Sequence, residues 1–63
     1  MPYINVRVAG PLTGTQKQEI CSRITQVMED VAGKPPAATY IVIDEVPRTN
    51  WAKSGVPLED PGA

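Results

Sequence analysis

Pro2, directly after Met1, carries the most distinctive chemistry in this chain. Its small side chain permits ordinary removal of the initiator methionine, after which the chain begins with a secondary amine. No other protein group offers a secondary amine as base or nucleophile. At the start of a strand and against apolar surroundings, the charged form of such an amine is disfavoured and its pKa falls. A base is most effective when its pKa lies near the working pH. The same amine is able to attack an aldehyde or ketone and form an iminium. With Met1 in place the nitrogen is a tertiary amide and has no basicity. Pro2 also suits a purely structural role, because the first residue of a strand needs no ladder donor.

The elements that must position Pro2 are legible from periodicity. Tyr3 to Val8 alternates strictly, with Ile4, Val6 and Val8 on one face and Tyr3, Asn5 and Arg7 on the other. Gly10-Pro11 breaks this strand. Thr13 and Thr15 are both plausible helix N-caps, with Gln16 and Gln18 three residues on, so either closes a capping box. Ile20, Ile24, Val27, Met28 and Val31 then fall on one helical face. Met28 reads as core filling, and Cys21, at the edge of that face, as a small buried hydrophobe rather than a reactive thiol. Gly33 reads as the residue just past the helix, and Pro35-Pro36 prevents its continuation.

Thr39 to Val46 is β-rich, with Ile41 and Ile43 facing the helix and Tyr40, Val42 and Asp44 opposite. Strand, helix and strand at this spacing predict a β-α-β unit with parallel strands and a right-handed crossover. Pro47 to Asn50 reads as a turn, and Trp51 to Val56 as a short hairpin or arm. The fold class is therefore α+β, one domain over residues 1–63 with an irregular tail from 57 to 63.

One helix covers only one face of a two-stranded sheet. A chain of 63 residues buries a modest share of its surface and usually needs a disulfide, a metal or a partner. One cysteine and no histidine remove the intrachain disulfide and the usual zinc sites. Oligomerisation remains, and a second copy laid on the face of Tyr3, Tyr40 and Val42 is the economical answer. A net charge of −1 with mixed signs offers no basic face for nucleic acid. No apolar run approaches the roughly 20 residues that cross a bilayer, and no secretory leader is visible. A cytoplasmic location is expected.

The start Met-Pro-Tyr-Ile-Asn-Val-Arg, the Gln16-Lys17 opening of a single amphipathic helix, Ile43-Asp44-Glu45-Val46 and Asn50-Trp51 together resemble the 4-oxalocrotonate tautomerase family. The resemblance spans residues 2 to about 56. It implies a protomer that dimerises into a four-stranded sheet, with dimers assembling into hexamers. It also implies an isomerase without cofactor or metal, whose N-terminal proline moves a proton in enol or unsaturated 2-oxo acids. Pro2 matches that proline. Trp51 stands where the family places an aromatic beside it, an apolar wall that helps keep the amine neutral.

Two positions depart from the family. Its best-known members carry arginines in the loop before the helix and early in the second strand, where this chain has Leu12 and Tyr40. Those arginines bind carboxylate and polarise carbonyl, work suited to a planar, permanently charged fork. Leucine has no donor, and tyrosine donates only one hydrogen bond. Lys53 and Arg7 are the candidate replacement cations, with Tyr40 as a further contact. Arg7 reads first as one half of a buried ion pair with Asp44, and Lys53 first as a solvated loop charge. The Ala52-Lys53-Ser54-Gly55 segment departs from the glycine-rich arm of the family. Lysine at 53 also argues against water addition, which in the dehalogenating branch uses an acidic residue nearby. An alternative follows: a weak or silent subunit, in a homo-oligomer or beside a second chain that supplies the arginines.

Overall fold

The computed structural model describes residues 1–62. Strand β1, Tyr3–Ala9, leads into helix α1, Gly14–Ala32, and a short 3-10 turn at Pro36–Ala38 delivers the chain to β2, Tyr40–Val46. A second 3-10 turn, Arg48–Asn50, precedes a small hairpin of β3, Ala52–Lys53, and β4, Val56–Pro57. β1 and β2 are parallel, in a register that sets Tyr3 beside Tyr40, Arg7 beside Asp44 and Ala9 beside Val46. β3 and β4 are antiparallel.

Each element stops where its local chemistry dictates. Thr13, not Thr15, caps α1: its side chain accepts from the Gln16 N–H at 3.1 Å, and Gln16 Oε1 accepts from the Thr13 N–H at 2.9 Å. Gly33 closes the helix at φ +64°, a left-handed conformation that costs a β-carbon dearly. Its N–H reaches the Glu29 carbonyl, and that of Lys34 reaches the Met28 carbonyl. The hairpin turns through Ser54 and Gly55, both at positive φ, the geometry that matches the twist of two-residue hairpins. Leu58 N–H donates to the Trp51 carbonyl at 2.7 Å and extends the hairpin outward. Pro57 belongs to β4, so the irregular tail begins at Leu58 rather than Pro57.

Alternation along the strands separates two faces. Ile4, Val6, Val8, Ile41 and Ile43 are half-buried, and so are Ile20, Cys21, Ile24 and Met28 of α1. The opposite face is open, with Tyr3 64% and Tyr40 55% exposed and Val42 nearly as much. Val27 and Val31 depart from the expected helical core face and lie in solvent. A 19-residue helix runs about 28 Å, whereas seven strand residues span about 23 Å, so the overhang accounts for Val31, while Val27, level with the half-buried Met28, turns away from the sheet. Cys21 and Met28 are likewise only half covered.

No described hydrophobic side chain is fully buried in the lone protomer. Its Cα radius of gyration is 15.0 Å and its extents are 49 × 24 × 14 Å. A compact chain of this length has a radius of about 11 Å. The protomer is an open layer, built to be closed by something outside itself.

Candidate active site

Pro2 is half-buried at the head of β1, and its carbonyl accepts the Tyr40 N–H at 3.0 Å. This bond uses the one hydrogen-bonding group a proline retains, and it fixes the start of β1 beside the start of β2. Tyr40 therefore stands next to Pro2, and Tyr3 pairs with Tyr40 across the strands. Met1 projects from this end, 89% exposed.

The other candidates gather at the far end of the sheet. Arg7, Asp44, Asn50 and Trp51, with Val46 and Ala52, line an open cleft of about 420 Å³. Arg7 Nε donates to Asp44 Oδ2 at 2.8 Å, the pairing that their shared face predicts. The pair is partly open to solvent in the protomer. Trp51 is held half-buried by the 3-10 turn, where its N–H meets the Arg48 carbonyl, and by Leu58 on its own carbonyl. Asn50 is a cleft residue that the sequence reading placed only in a turn; its position beside Trp51 was the available signal.

Leu12 and Lys53 stay outside this cleft. Leu12 is half-buried, and its N–H donates to Glu45 Oε1 at 2.9 Å while Lys17 Nζ meets Glu45 Oε2 at 3.2 Å. Glu45 thus ties the β1–α1 loop and the first turns of α1 to the end of β2. The Leu12 N–H, and next the Lys17 ammonium, hold the Glu45 carboxyl below its ordinary pKa. Gly10 packs closely at this junction: a β-carbon there would lie 3.3 Å from Glu45 Cβ, so the neighbour would have to give by a few tenths of an ångström. Lys53 is exposed on β3 and makes no ion pair among the described residues.

A second cleft of about 390 Å³ lies past the strand ends, with Pro11, Glu45, Arg48, Thr49 and Glu59 in its wall. Arg48 makes no ion pair among the described residues. Two carboxylates share that wall, which disfavours an anion there.

One chain therefore carries the candidate site in two halves. Pro2 and Tyr40 stand at the start of the sheet, Arg7 lies five residues along from Pro2, about 17 Å away, and Trp51 lies past the end of β2. Side chains on a single protomer cannot meet across that span.

A parallel β-α-β layer headed by Pro2, with an aromatic cleft toward its opposite end, is the protomer architecture of a known enzyme family. The family model described as "Tautomerase enzyme" matches residues 2–61. A probable tautomerase K2 of Dickeya dadantii is 39% identical over 56 residues, covering 87% of this chain and 84% of that protein. The 2-hydroxymuconate tautomerase of Pseudomonas putida is 29% identical over 62 residues, covering 98% of both. The crystal structure of DmpI from Helicobacter pylori superposes with a TM-score of 0.81 at 30% identity, over 90% of each chain. The chain belongs to the tautomerase family, of the 4-oxalocrotonate tautomerase type, and is a keto-enol isomerase.

Proposed function

We propose that the chain is a cofactor-free tautomerase in which Pro2, freed by removal of Met1, is the general base and then the general acid. The amine takes the enol O–H proton of a 2-hydroxy-unsaturated acid and returns a proton to the carbon that becomes saturated. The observation that carries this reading is Pro2 at the head of β1, its carbonyl pinned to Tyr40 beside the sheet face where the side chains of Tyr3, Tyr40 and Val42 are uncovered. Covering that face with a second copy would dehydrate the amine and favour its neutral form.

An assembly also supplies the missing half of the site. A two-fold axis normal to the strands reverses the sheet, so the Pro2 end of one copy lies toward the Trp51 end of the other. Trp51 then serves as the apolar wall, and Tyr40 as a single hydrogen-bond donor to substrate oxygen. A homodimer is the minimal unit, and a hexamer closes more of the open layer. The Pseudomonas putida relative is a 2-hydroxymuconate tautomerase by name. Leu12 and Tyr40 in this chain point instead to an acid with fewer carboxylates.

The test is ketonisation of phenylenolpyruvate by the Met1-cleaved protein and by Pro2→Ala. A positioned base contributes about 10²- to 10⁴-fold, and the variant is expected to lose that factor. A rate unaffected by Pro2→Ala would sink the reading. The absence of a basic fork at Leu12 and Tyr40 favours one rival, a silent subunit whose second chain brings the arginines. Turnover by the pure homo-oligomer excludes it.

A further inference from the structure

We infer that Arg7, oriented by Asp44 and set beside Trp51, is the carboxylate-binding residue of this protein and selects monocarboxylates with a flat apolar substituent. The inference rests on the tautomerase reading for its substrate class, while the site itself stands on geometry.

Arg7 meets Asp44 through Nε alone, Nε to Oδ2 at 2.8 Å. Its terminal Nη groups make no hydrogen bond or ion pair among the described residues. A guanidinium held side-on keeps its outer edge free, with two parallel N–H donors matched to the two oxygens of a carboxylate. The β1–β2 register places Arg7 directly beside Asp44, so the hold is built into the sheet. In the protomer the side chains of both are partly exposed, 63% and 40%.

The rest of the cleft sorts the ligand by charge and shape. Asp44 neutralises Arg7, so the cleft carries one fork and no net positive charge. A second carboxylate on the ligand would meet Asp44 rather than a cation, and like charges at close range repel. Trp51 offers a broad apolar surface, and Asn50 an amide with both donors and an acceptor for an enol or carbonyl oxygen. The volume of about 420 Å³ suits a ligand of roughly a dozen heavy atoms. Lys53 stands on the hairpin outside, and Arg48 shares its cleft with Glu45 and Glu59. Among the candidate cations, Arg7 alone combines a free fork with an aromatic wall.

Trp51 is the only tryptophan of the chain, so its fluorescence reports occupancy of this cleft directly. The probe is 3-phenylpropanoate, a monocarboxylate unable to tautomerise, titrated into the assembled, Met1-cleaved protein. Saturable binding is expected, with its methyl ester about tenfold or more weaker, as loss of a charge-assisted pair implies. Arg7→Gln is expected to weaken the acid by a similar factor and leave the ester unchanged. Arg7→Lys, which keeps charge and loses the fork, should fall between, and it serves if the glutamine variant fails to assemble. Phenylsuccinate, with a second carboxylate, should bind no tighter. Equal binding of acid and ester, or unchanged affinity in the Arg7 variants, overturns the proposal. Binding with no turnover of phenylenolpyruvate would fail the tautomerase reading while leaving this site intact.

Discussion

The backbone N–H of Leu12 donates to Glu45 Oε1 at 2.9 Å, so the loop that precedes α1 is fastened by a carboxylate from the end of β2. The other Glu45 oxygen holds Lys17, one turn into the helix. Leu12 is thus fixed through its main chain, whatever side chain it bears.

Glu45 makes this clamp pH-sensitive. Its pKa is lowered in the folded chain by the Leu12 N–H first and Lys17 second. The unfolded chain therefore binds more protons in the acid range, and stability rises with pH there. The contribution is present above the ordinary carboxylate pKa and is lost as pH falls through the depressed folded value. Urea midpoints taken between about pH 5 and pH 2 should fall for the wild type and fall less steeply for Glu45→Gln. Parallel slopes for both proteins would refute the clamp.

Thr13 and Thr15 compete for the helix cap in sequence, and only Thr13 has the capping bonds. Thr13→Ala is expected to cost about 1 kcal/mol. Thr15→Ala should stay within about 0.5 kcal/mol of the wild type. Urea denaturation of the two variants at equal protein concentration separates them.

Val42 tests the open sheet face. It is 46% exposed in the protomer and lies between the partly covered Ile41 and Ile43 along β2. Val42→Glu places a charge where a second copy is proposed to sit, and an unpaired buried charge costs several kcal/mol. Sedimentation equilibrium should show a smaller species than the wild type. An unchanged mass would place the assembly interface elsewhere, with Val27 and Val31 of α1 the next apolar surface to probe.

Leu12→Arg with Tyr40→Arg tests what the missing forks cost. In the protomer Leu12 is anchored by its backbone and Tyr40 is largely exposed, and sedimentation equilibrium checks that the double variant still assembles. Turnover of 2-hydroxymuconate, a dicarboxylate, should gain about tenfold or more in kcat/KM, the scale of a charge-assisted hydrogen bond. No gain would show that carboxylate recognition in this protein does not depend on those two positions.

The sequence alone determined what is local. Strict alternation marked β1 and a β-rich run marked β2, each to within a residue of its ends, and the spacing from Ile20 to Met28 marked α1. Gly33 and the paired prolines marked its close, because a left-handed residue and a missing N–H act within one turn. The Arg7–Asp44 pair was also legible, since parallel register aligns two alternating faces. Tertiary structure decided what depends on distance. It chose Thr13 over Thr15, fastened Leu12 to Glu45, left Val27 and Val31 in solvent, and brought Asn50 into one cleft with Arg7. It also parted Pro2 from Trp51 by a strand length. Periodicity records which face a residue occupies and not how far along the sheet its partners stand, so a site divided between the two ends of a strand is invisible until the chain is folded.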